Sequence, residues 1–452
     1  MKRIIDHFLL QWKHDPQRKA LLLRGARQVG KTYAVRKLGA TYPDFVEINF
    51  ELWTDTHDIF EKNLDPDRIL RELSLIARKA IIPGKTLLFL DEIQLVPKAI
   101  TALRYFYEML PELHVIAAGS LLDFAIEQTG IPVGRVESLY MHPVSFIEYL
   151  VASGDALIVD EIMNHVVEHG MSTSVHDKLL SLLGEYLALG GMPHSVQEWV
   201  EKKNALNCSK IHLTLLNTYR QDFGKYARKL HIKYVELLFD QIPLQLGKKF
   251  KYSNVEGDYR KRELAPALEL LVTAGIAHQV FYTTGQGIPL RSQLDEQDYR
   301  VIFLDVGLAQ AALDLDLAGW FLNPKKEFIN KGALIEAFVG QEMLAYGRPY
   351  QKNTLYYWHK ESSAHVAEID YLIPLRGEII PVEVKAGLGT TLKSLHYFLE
   401  KHQNSSYGIR FSAQNYSMHE RVHSYPLYAI AHVLGEDNPA IKQAIQSLMT
   451  LC

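Results

Sequence analysis

At 452 residues, 48% apolar and 22% charged, the chain is long enough for about three domains of ordinary size, and its composition excludes a disordered, collagen-like or disulfide-stapled protein. No apolar run approaches the ~20 residues that cross a bilayer, and Cys208 and Cys452 form neither a C-x-x-C pair nor a disulfide framework, so the expected setting is cytoplasmic, with no membrane partner. The net charge of −3 excludes nothing as a total, because the charges are unevenly spread.

The N-terminal MKRIIDHFLLQWKHD starts basic, but Asp6 and His7 interrupt its apolar run and no cleavage pattern follows. It predicts an amphipathic helix rather than a leader. Leu21 to Thr32, LLLRGARQVGKT, is an apolar strand entering a G-x-x-x-x-G-K-T loop. The two glycines let the backbone wrap a polyphosphate with successive N–H groups pointing inward, and the following helix adds its positive dipole end. The candidate nucleotide-binding residues are Gly25, Ala26, Arg27, Gln28, Val29, Gly30, Lys31 and Thr32. Lys31 is expected on the β- and γ-phosphates and the Thr32 hydroxyl on Mg²⁺.

Phe45 to Phe50 reads as a strand, and the run from Thr86 reads as a buried parallel strand ending in Asp91-Glu92. Carboxylates at the C-terminal end of such a strand lie where ligands bind in open α/β sheets. Asp91 is expected to hold Mg²⁺ through water and Glu92 to polarise the attacking water. Leu113 to Ser120 is the next strand, and Ser120 at its tip is placed to hydrogen-bond the γ-phosphate or the lytic water. Arg135, just beyond, is a candidate arginine finger or sensor.

From about 143 to 232 the apolar residues recur at helical spacing, which predicts a helical lid, broken at Gly190-Gly191-Met192-Pro193. His165 and His169, four apart, lack an evident third ligand and read as solvated histidines on a helix face. From about 233 to 312 the order of helix (Val235 to Leu246), basic turn, short helix from Ser253, longer helix (Arg260 to Ala274) and two strands, IAHQVFY and RVIFLD, predicts a winged helix with the longer helix as its recognition helix. Lys248, Lys249, Lys251, Arg260, Lys261 and Arg262 outnumber Glu256 and Asp258 there, with Tyr252 and Tyr259 interleaved. Arg220, Lys225, Arg228, Lys229 and Lys233 precede them. Clustered cations with aromatics suit contact with a phosphate backbone, so these six are the candidate DNA-binding residues; a solvated face in a protein-binding domain is the alternative.

The last segment places Glu336 on a helix (Gly332 to Gly347), Asp370 on a strand (Val366 to Ile373), and Glu383 and Lys385 two apart on another (Ile379 to Ala386), hence on one face. Helix Glu, strand Asp and Glu-x-Lys form the arrangement of PD-(D/E)XK nucleases. In these a divalent cation on the carboxylates polarises phosphate and activates water while the lysine orients the nucleophile. The alternative is a site in which Lys385 compensates the carboxylates without metal.

Taken together, LLLRGARQVGKT, LLFLDEIQ, AAGS, GRVESLYMHPVSFIEYL, YLALGGMP, FLDVGL and YYWHKESSAHVAEIDYLIPLRGEIIPVEVKAG span nearly the whole chain. It resembles the bacterial and archaeal AAA-type P-loop ATPases that carry a C-terminal winged helix and a PD-(D/E)XK nuclease-like region. The resemblance implies an α/β protein with an AAA-type core (1–155), a helical lid (156–232), a winged-helix domain (233–324) and a nuclease-like domain (325–452). It implies ATP and Mg²⁺ at Gly30, Lys31, Thr32 and Asp91, and Mg²⁺ or Mn²⁺ at Glu336, Asp370 and Glu383 with Lys385 as catalytic partner. The expected function is a Mg²⁺-dependent ATP hydrolase that binds DNA, by analogy with Holliday-junction resolvases branched DNA, with ATP controlling binding or oligomer state. Since AAA modules often place one subunit's arginine at the next subunit's nucleotide, a homo-oligomer is expected. The alternatives are a nucleotide-gated signalling or defence switch with a protein partner and an ATP-dependent metal nuclease. A basic groove leading to Asp370 would favour DNA.

Overall fold

Strands that are apolar along their whole length need cover on both faces, the condition of a parallel sheet between helices. Three such strands, β1 (Ala20–Arg24), β3 (Thr86–Asp91) and β4 (His114–Ala118), lie at the centre of a wholly parallel sheet that the partly exposed β2 (Asp44–Asn49) and β5 (Val136–Tyr140) complete, in the order β2-β3-β4-β1-β5, in the computed structural model. Described are residues 1–120, 122–130, 132–226, 229–361, 366–386 and 392–450. Alternate residues serve two cores. Leu22, Leu88, Leu90 and Val115 face a cluster completed by Phe60, Leu73 and Phe106, the sheet's own cover. Leu21, Leu23, Phe89 and Ile116 face a second cluster that runs on through the helical region into the C-terminal half. The middle of the chain therefore shares its core with both neighbours.

The helical region contains, among others, Thr173–Leu189, Pro193–Lys202, Ala205–Tyr226 and Lys229–Gln241, so the expected limit at 232 falls inside a helix. His165 and His169 lie beyond the end of the helix Ala156–Asn164, with His165 bonded to Glu161 and to the His169 carbonyl. The break at Gly190 is required sterically. Its φ is +66, and a Cβ there would stand 2.1 Å from the Asp305 carboxylate.

The helix Lys261–Thr273 leads to an antiparallel hairpin, β6 (Ala277–Thr283) and β7 (Leu294–Phe303), and the short helix expected from Ser253 is a single 3₁₀ turn, Tyr252–Asn254. β8 (Leu355–Glu361), β9 (Val366–Leu375), β10 (Glu378–Lys385), β11 (Gly408–Ser412), β12 (Ser417–His419) and β13 (Val422–Pro426) complete a mixed sheet of order β12-β13-β11-β10-β9-β8-β6-β7. β6 pairs in parallel with β8, so one sheet spans the expected boundary at 324/325. The edge of β8 is covered by the hairpin instead of being left open. The helix Gly332–Ala345 is buried almost all round, as a helix apolar on every face must be.

The expected N-terminal helix is present as Ile4–His14, burying Ile4, Ile5, Phe8, Leu9 and Trp12. It meets the last helix, Pro439–Thr450, where Lys2 donates to the Leu448 carbonyl at 3.3 Å. Among the described residues no helix is long and apolar enough to cross a membrane.

Candidate functional site

β1 delivers the loop 25–30 to the C-terminal edge of the parallel sheet, where β3 ends at Asp91 and β4 runs into Gly119-Ser120. Gly25 has φ +139 and lies so close to the segment that leaves β5 that a Cβ would meet the Met141 carbonyl at 2.2 Å, which leaves room only for glycine. Gly30, also left-handed at φ +99, starts the helix Lys31–Gly39. Lys31 is buried, and its ammonium donates to the carbonyls of Gly25 and Ala26 at 2.8 Å each. Burial pulls its pKa down to about 8, against the pull of Glu92 and Asp91. A terminal phosphate arriving in the loop would supply the charge that those carbonyls replace only in part.

The Thr32 hydroxyl donates to Asp91 at 3.2 Å and the Asn49 amide to the same carboxylate at 3.3 Å. Burial, and then the Glu92 charge, push the Asp91 carboxyl up to about 6. A hydroxyl and a carboxylate at this separation beside a phosphate loop fit a hard, oxygen-seeking cation such as Mg²⁺. Glu92 occupies a left-handed conformation at φ +53 that turns its side chain back over the sheet edge. Its Oε2 accepts from the Gln94 amide at 2.5 Å and from the Ser120 hydroxyl and N–H at 3.4 and 3.5 Å. Lys31, Thr32, Asp91, Glu92 and Ser120 face one cavity of about 370 Å³, whose other walls include Tyr33, Met141, Pro193 and His194.

Three members of this site have no local sequence signal. Arg3, 5% exposed, donates to the carbonyls of Val29 at 3.0 Å and His142 at 2.7 Å and pairs with Glu148 at 3.0 Å, so it braces the loop from the N-terminal segment. Tyr219 and Asp222, on the helix Ala205–Tyr226, hold the Arg27 carbonyl and guanidinium respectively, each at 2.7 Å. A hydrophobic period identifies those helices but not the polar residue each aims at the loop. Arg135, in contrast, is not brought into the site. It precedes β5 and so lies at the opposite end of the sheet from the phosphate loop, half-exposed and paired with Glu108 at 2.9 Å.

In the C-terminal sheet, Glu336, Asp370, Glu383 and Lys385 do come together, but around a residue that sequence reading placed only in a strand. The Arg300 guanidinium, from β7, pairs closely with Glu336 and Glu368 and lies 3.4 Å from Asp370. Lys385 pairs with Glu383, and the other Asp370 oxygen accepts the Val384 N–H at 2.8 Å. Burial pushes the Glu336, Asp370 and Glu383 carboxyls up, and the mutual proximity of these carboxylates adds to it. Among the described residues no group of three or more His, Cys, Asp or Glu is placed to hold a metal ion. Of the carboxylates expected to hold a metal, Glu336 and Asp370 face the Arg300 guanidinium and Glu383 faces Lys385. Arg300 was missed because nothing in the sequence said that β7 joins the sheet carrying Asp370.

The basic turn abuts this cluster, since a Cβ on Gly247 would stand 3.3 Å from Glu336 Oε2. Lys248, Lys251, Arg260, Lys261 and Arg262 are exposed. Lys249 is committed instead to Asp298 at 2.5 Å, a carboxylate that also accepts from Tyr357 and bonds His359. Of the earlier cations, Arg220 pairs with Asp240 at 2.7 Å, and the side chains of Lys225, Arg228 and Lys229 lie outside the described residues.

A family model described as an AAA domain matches residues 17–150, and two domains of unknown function, DUF8612 and DUF4143, match residues 180–318 and 331–430. No curated protein matches the chain. Among solved structures, the Walker-type ATPase PABY2304 of Pyrococcus abyssi is 15% identical with a TM-score of 0.43, over 69% of this chain and 95% of that one. PCH-2 of C. elegans is 13% identical with a TM-score of 0.23, over 45% of this chain and 63% of that one. The first third of the chain is a P-loop ATPase domain of AAA type, which implies ATP binding and hydrolysis, and it is followed by two domains of unknown function.

Proposed function

We propose that the protein is a Mg²⁺-dependent ATP hydrolase that binds DNA through the exposed cations of residues 248–262 and uses ATP to control that binding. The observation that carries the enzymatic part is the convergence of Lys31, Thr32, Asp91, Glu92 and Ser120 on one cavity. Lys31 and the loop N–H groups would bind the β- and γ-phosphates. Thr32 and Asp91 would hold Mg²⁺, which when bound neutralises phosphate charge. Glu92, steadied by Gln94 and Ser120, would orient the attacking water and accept its proton.

The DNA part rests on five exposed cations beside a sheet edge, with Tyr252 and Tyr259 between them. The turn lies beside the Glu336–Asp370 cluster, and it is the exposed cations of the turn itself that favour a phosphate backbone over a protein partner. The proposal stops short of cleavage, because the carboxylates that would have to hold its metal are engaged by Arg300 and Lys385. The position of Arg135 at the far end of β5 suits a finger offered to a neighbouring copy and not to its own nucleotide, so the proposal includes a homo-oligomer. The test is ATP turnover and DNA affinity measured on one preparation: Glu92→Gln should lose the first and keep the second, whereas charge reversal at Lys248, Lys251 and Arg262 should do the opposite. Unchanged turnover in Glu92→Gln, or unchanged affinity in the charge-reversed protein, would contradict the corresponding half.

A further inference from the structure

Four carboxylates, Glu336, Glu368, Asp370 and Glu383, surround two cations, Arg300 and Lys385, at the junction of the hairpin with the C-terminal sheet. A phosphodiester-cleaving metal needs several carboxylate oxygens aimed at one open position and room there for water, since a hard divalent cation takes six or more oxygen ligands. Here each of the four carboxylates is already engaged by a cation. Glu336 and Glu368 each pair with one arm of the guanidinium, Asp370 has one oxygen toward Arg300 and the other on the Val384 N–H, and Glu383 pairs with Lys385. The oxygens left over, among them the buried Glu383 Oε2 that has no hydrogen-bond partner, belong to carboxylates whose other oxygen is already held by a resident cation.

The guanidinium is itself fixed. Its side chain is 3% exposed, it lies over the Tyr357 ring at 4.8 Å, and its strand is paired on one side with β6 and bridged on the other by Lys249. We propose that Arg300 is the resident counter-ion of this cluster and that its guanidinium takes the place of a divalent cation, so that the site is closed to metal as long as Arg300 is present. The arginine supplies a single positive charge with directional N–H groups matched to planar carboxylates, where a metal would supply two charges and a bound water. The cluster is thereby held together while the water-activating chemistry is lost. The upward-shifted carboxyls agree with this, because protons can balance the charge that two cations leave over. The inference is independent of whether the basic turn binds DNA.

The experiment is a Mn²⁺ titration of the full-length, nucleotide-free protein, followed by electron paramagnetic resonance and by the melting temperature. It compares wild type, Asp370→Asn, Arg300→Met and the double variant Arg300→Met/Asp370→Asn. Wild type and Asp370→Asn should bind Mn²⁺ alike, with no component that depends on Asp370. Arg300→Met should gain about one Mn²⁺ per chain and melt several degrees higher with Mn²⁺ than without, and the double variant should lose both. Should Arg300→Met fold only when Mn²⁺ is added, that dependence reads the same gain, because a ligand that binds only the native state stabilises it by mass action. Wild-type Mn²⁺ binding that disappears in Asp370→Asn overturns the proposal, and so does an Arg300→Met protein that neither binds Mn²⁺ nor is stabilised by it.

Discussion

The N–H of Gly191 donates to the carboxylate of Asp305 across 2.6 Å, and this bond ties the turn that leads into the nucleotide cavity to the residue just beyond β7. On one side the chain continues as Met192-Pro193-His194, with Pro193 and His194 on the cavity wall. On the other, β7 carries Arg300 and Asp298, the anchors of the carboxylate cluster and of the basic turn. Asp305 is fully buried, its carboxyl pushed up to about 6 by burial against the N–H groups that it accepts. Its other oxygen caps the helix Val306–Ala312 by accepting the Leu308 N–H at 2.9 Å.

Asp305 is therefore expected to couple the two halves. Asp305→Ala leaves two buried N–H groups without an acceptor and should cost about 2–4 kcal/mol in urea unfolding. It should also bring the ratio of DNA affinities with and without ATP close to one. Asp305→Asn keeps one acceptor oxygen and should retain part of both. An unchanged affinity ratio in Asp305→Ala would show that ATP acts by another route.

At the phosphate loop the roles separate by position. Lys31→Ala should abolish nucleotide binding, because Lys31 meets phosphate in the ground state. Glu92→Gln should leave binding intact and lower turnover by ~10² to 10⁴, the usual cost of losing a positioned base. Equilibrium binding of a fluorescent nucleotide and steady-state hydrolysis check the two separately.

Gln94 holds Glu92, and it can do so because Gly119 has no side chain: a Cβ there would stand 1.9 Å from Gln94 Oε1. Gln94→Ala and Gly119→Ala should thus lower kcat by a similar factor, roughly tenfold for one positioning hydrogen bond, with little change in nucleotide affinity. Wild-type kcat in either variant would remove Gln94 from the mechanism.

One histidine gives a pH signature. His212 is fully buried, donates from Nε2 to the Leu189 carbonyl at 2.7 Å and has no partner for Nδ1. Burial lowers its pKa from 6.5 to about 4. A proton added at Nδ1 would meet no acceptor, so the unfolded chain takes up this proton more readily than the native one. The contribution of His212 to stability is complete above pH 6.5 and is lost as pH falls toward 4, on the order of 3 kcal/mol in all. His212→Gln should flatten the fall in unfolding free energy between pH 7.5 and 5 relative to wild type; an identical pH profile would contradict the assignment.

What could be read in the sequence was whatever a local pattern fixes. Gly25 to Thr32 declared a phosphate loop because strand, glycines, lysine and helix follow one another without interruption. Glu336, Asp370, Glu383 and Lys385 could be gathered because period and order put them on facing elements. Arg3, Tyr219, Asp305 and Arg300 could not, because each acts on a partner far along the chain and its own neighbourhood reads as ordinary helix, strand or turn. That one sheet runs across the expected break at 324/325 was hidden for the same reason. The pairing of β6 with β8 is set by which edge is free, and hydrophobic period carries no record of edges.

The most direct test of the central claim is DNA affinity measured across a salt series with and without ATP, in Glu92→Gln to prevent turnover, and again in the same protein carrying Lys248→Glu, Lys251→Glu and Arg262→Glu. Lys249 is left alone because Asp298 already holds it. Binding through the exposed cations predicts affinity that drops steeply with salt and shifts with ATP. In the charge-reversed protein the log–log slope should be shallower by about 0.9 for each phosphate that is no longer neutralised. Equal affinity and equal slope in the two proteins would contradict it.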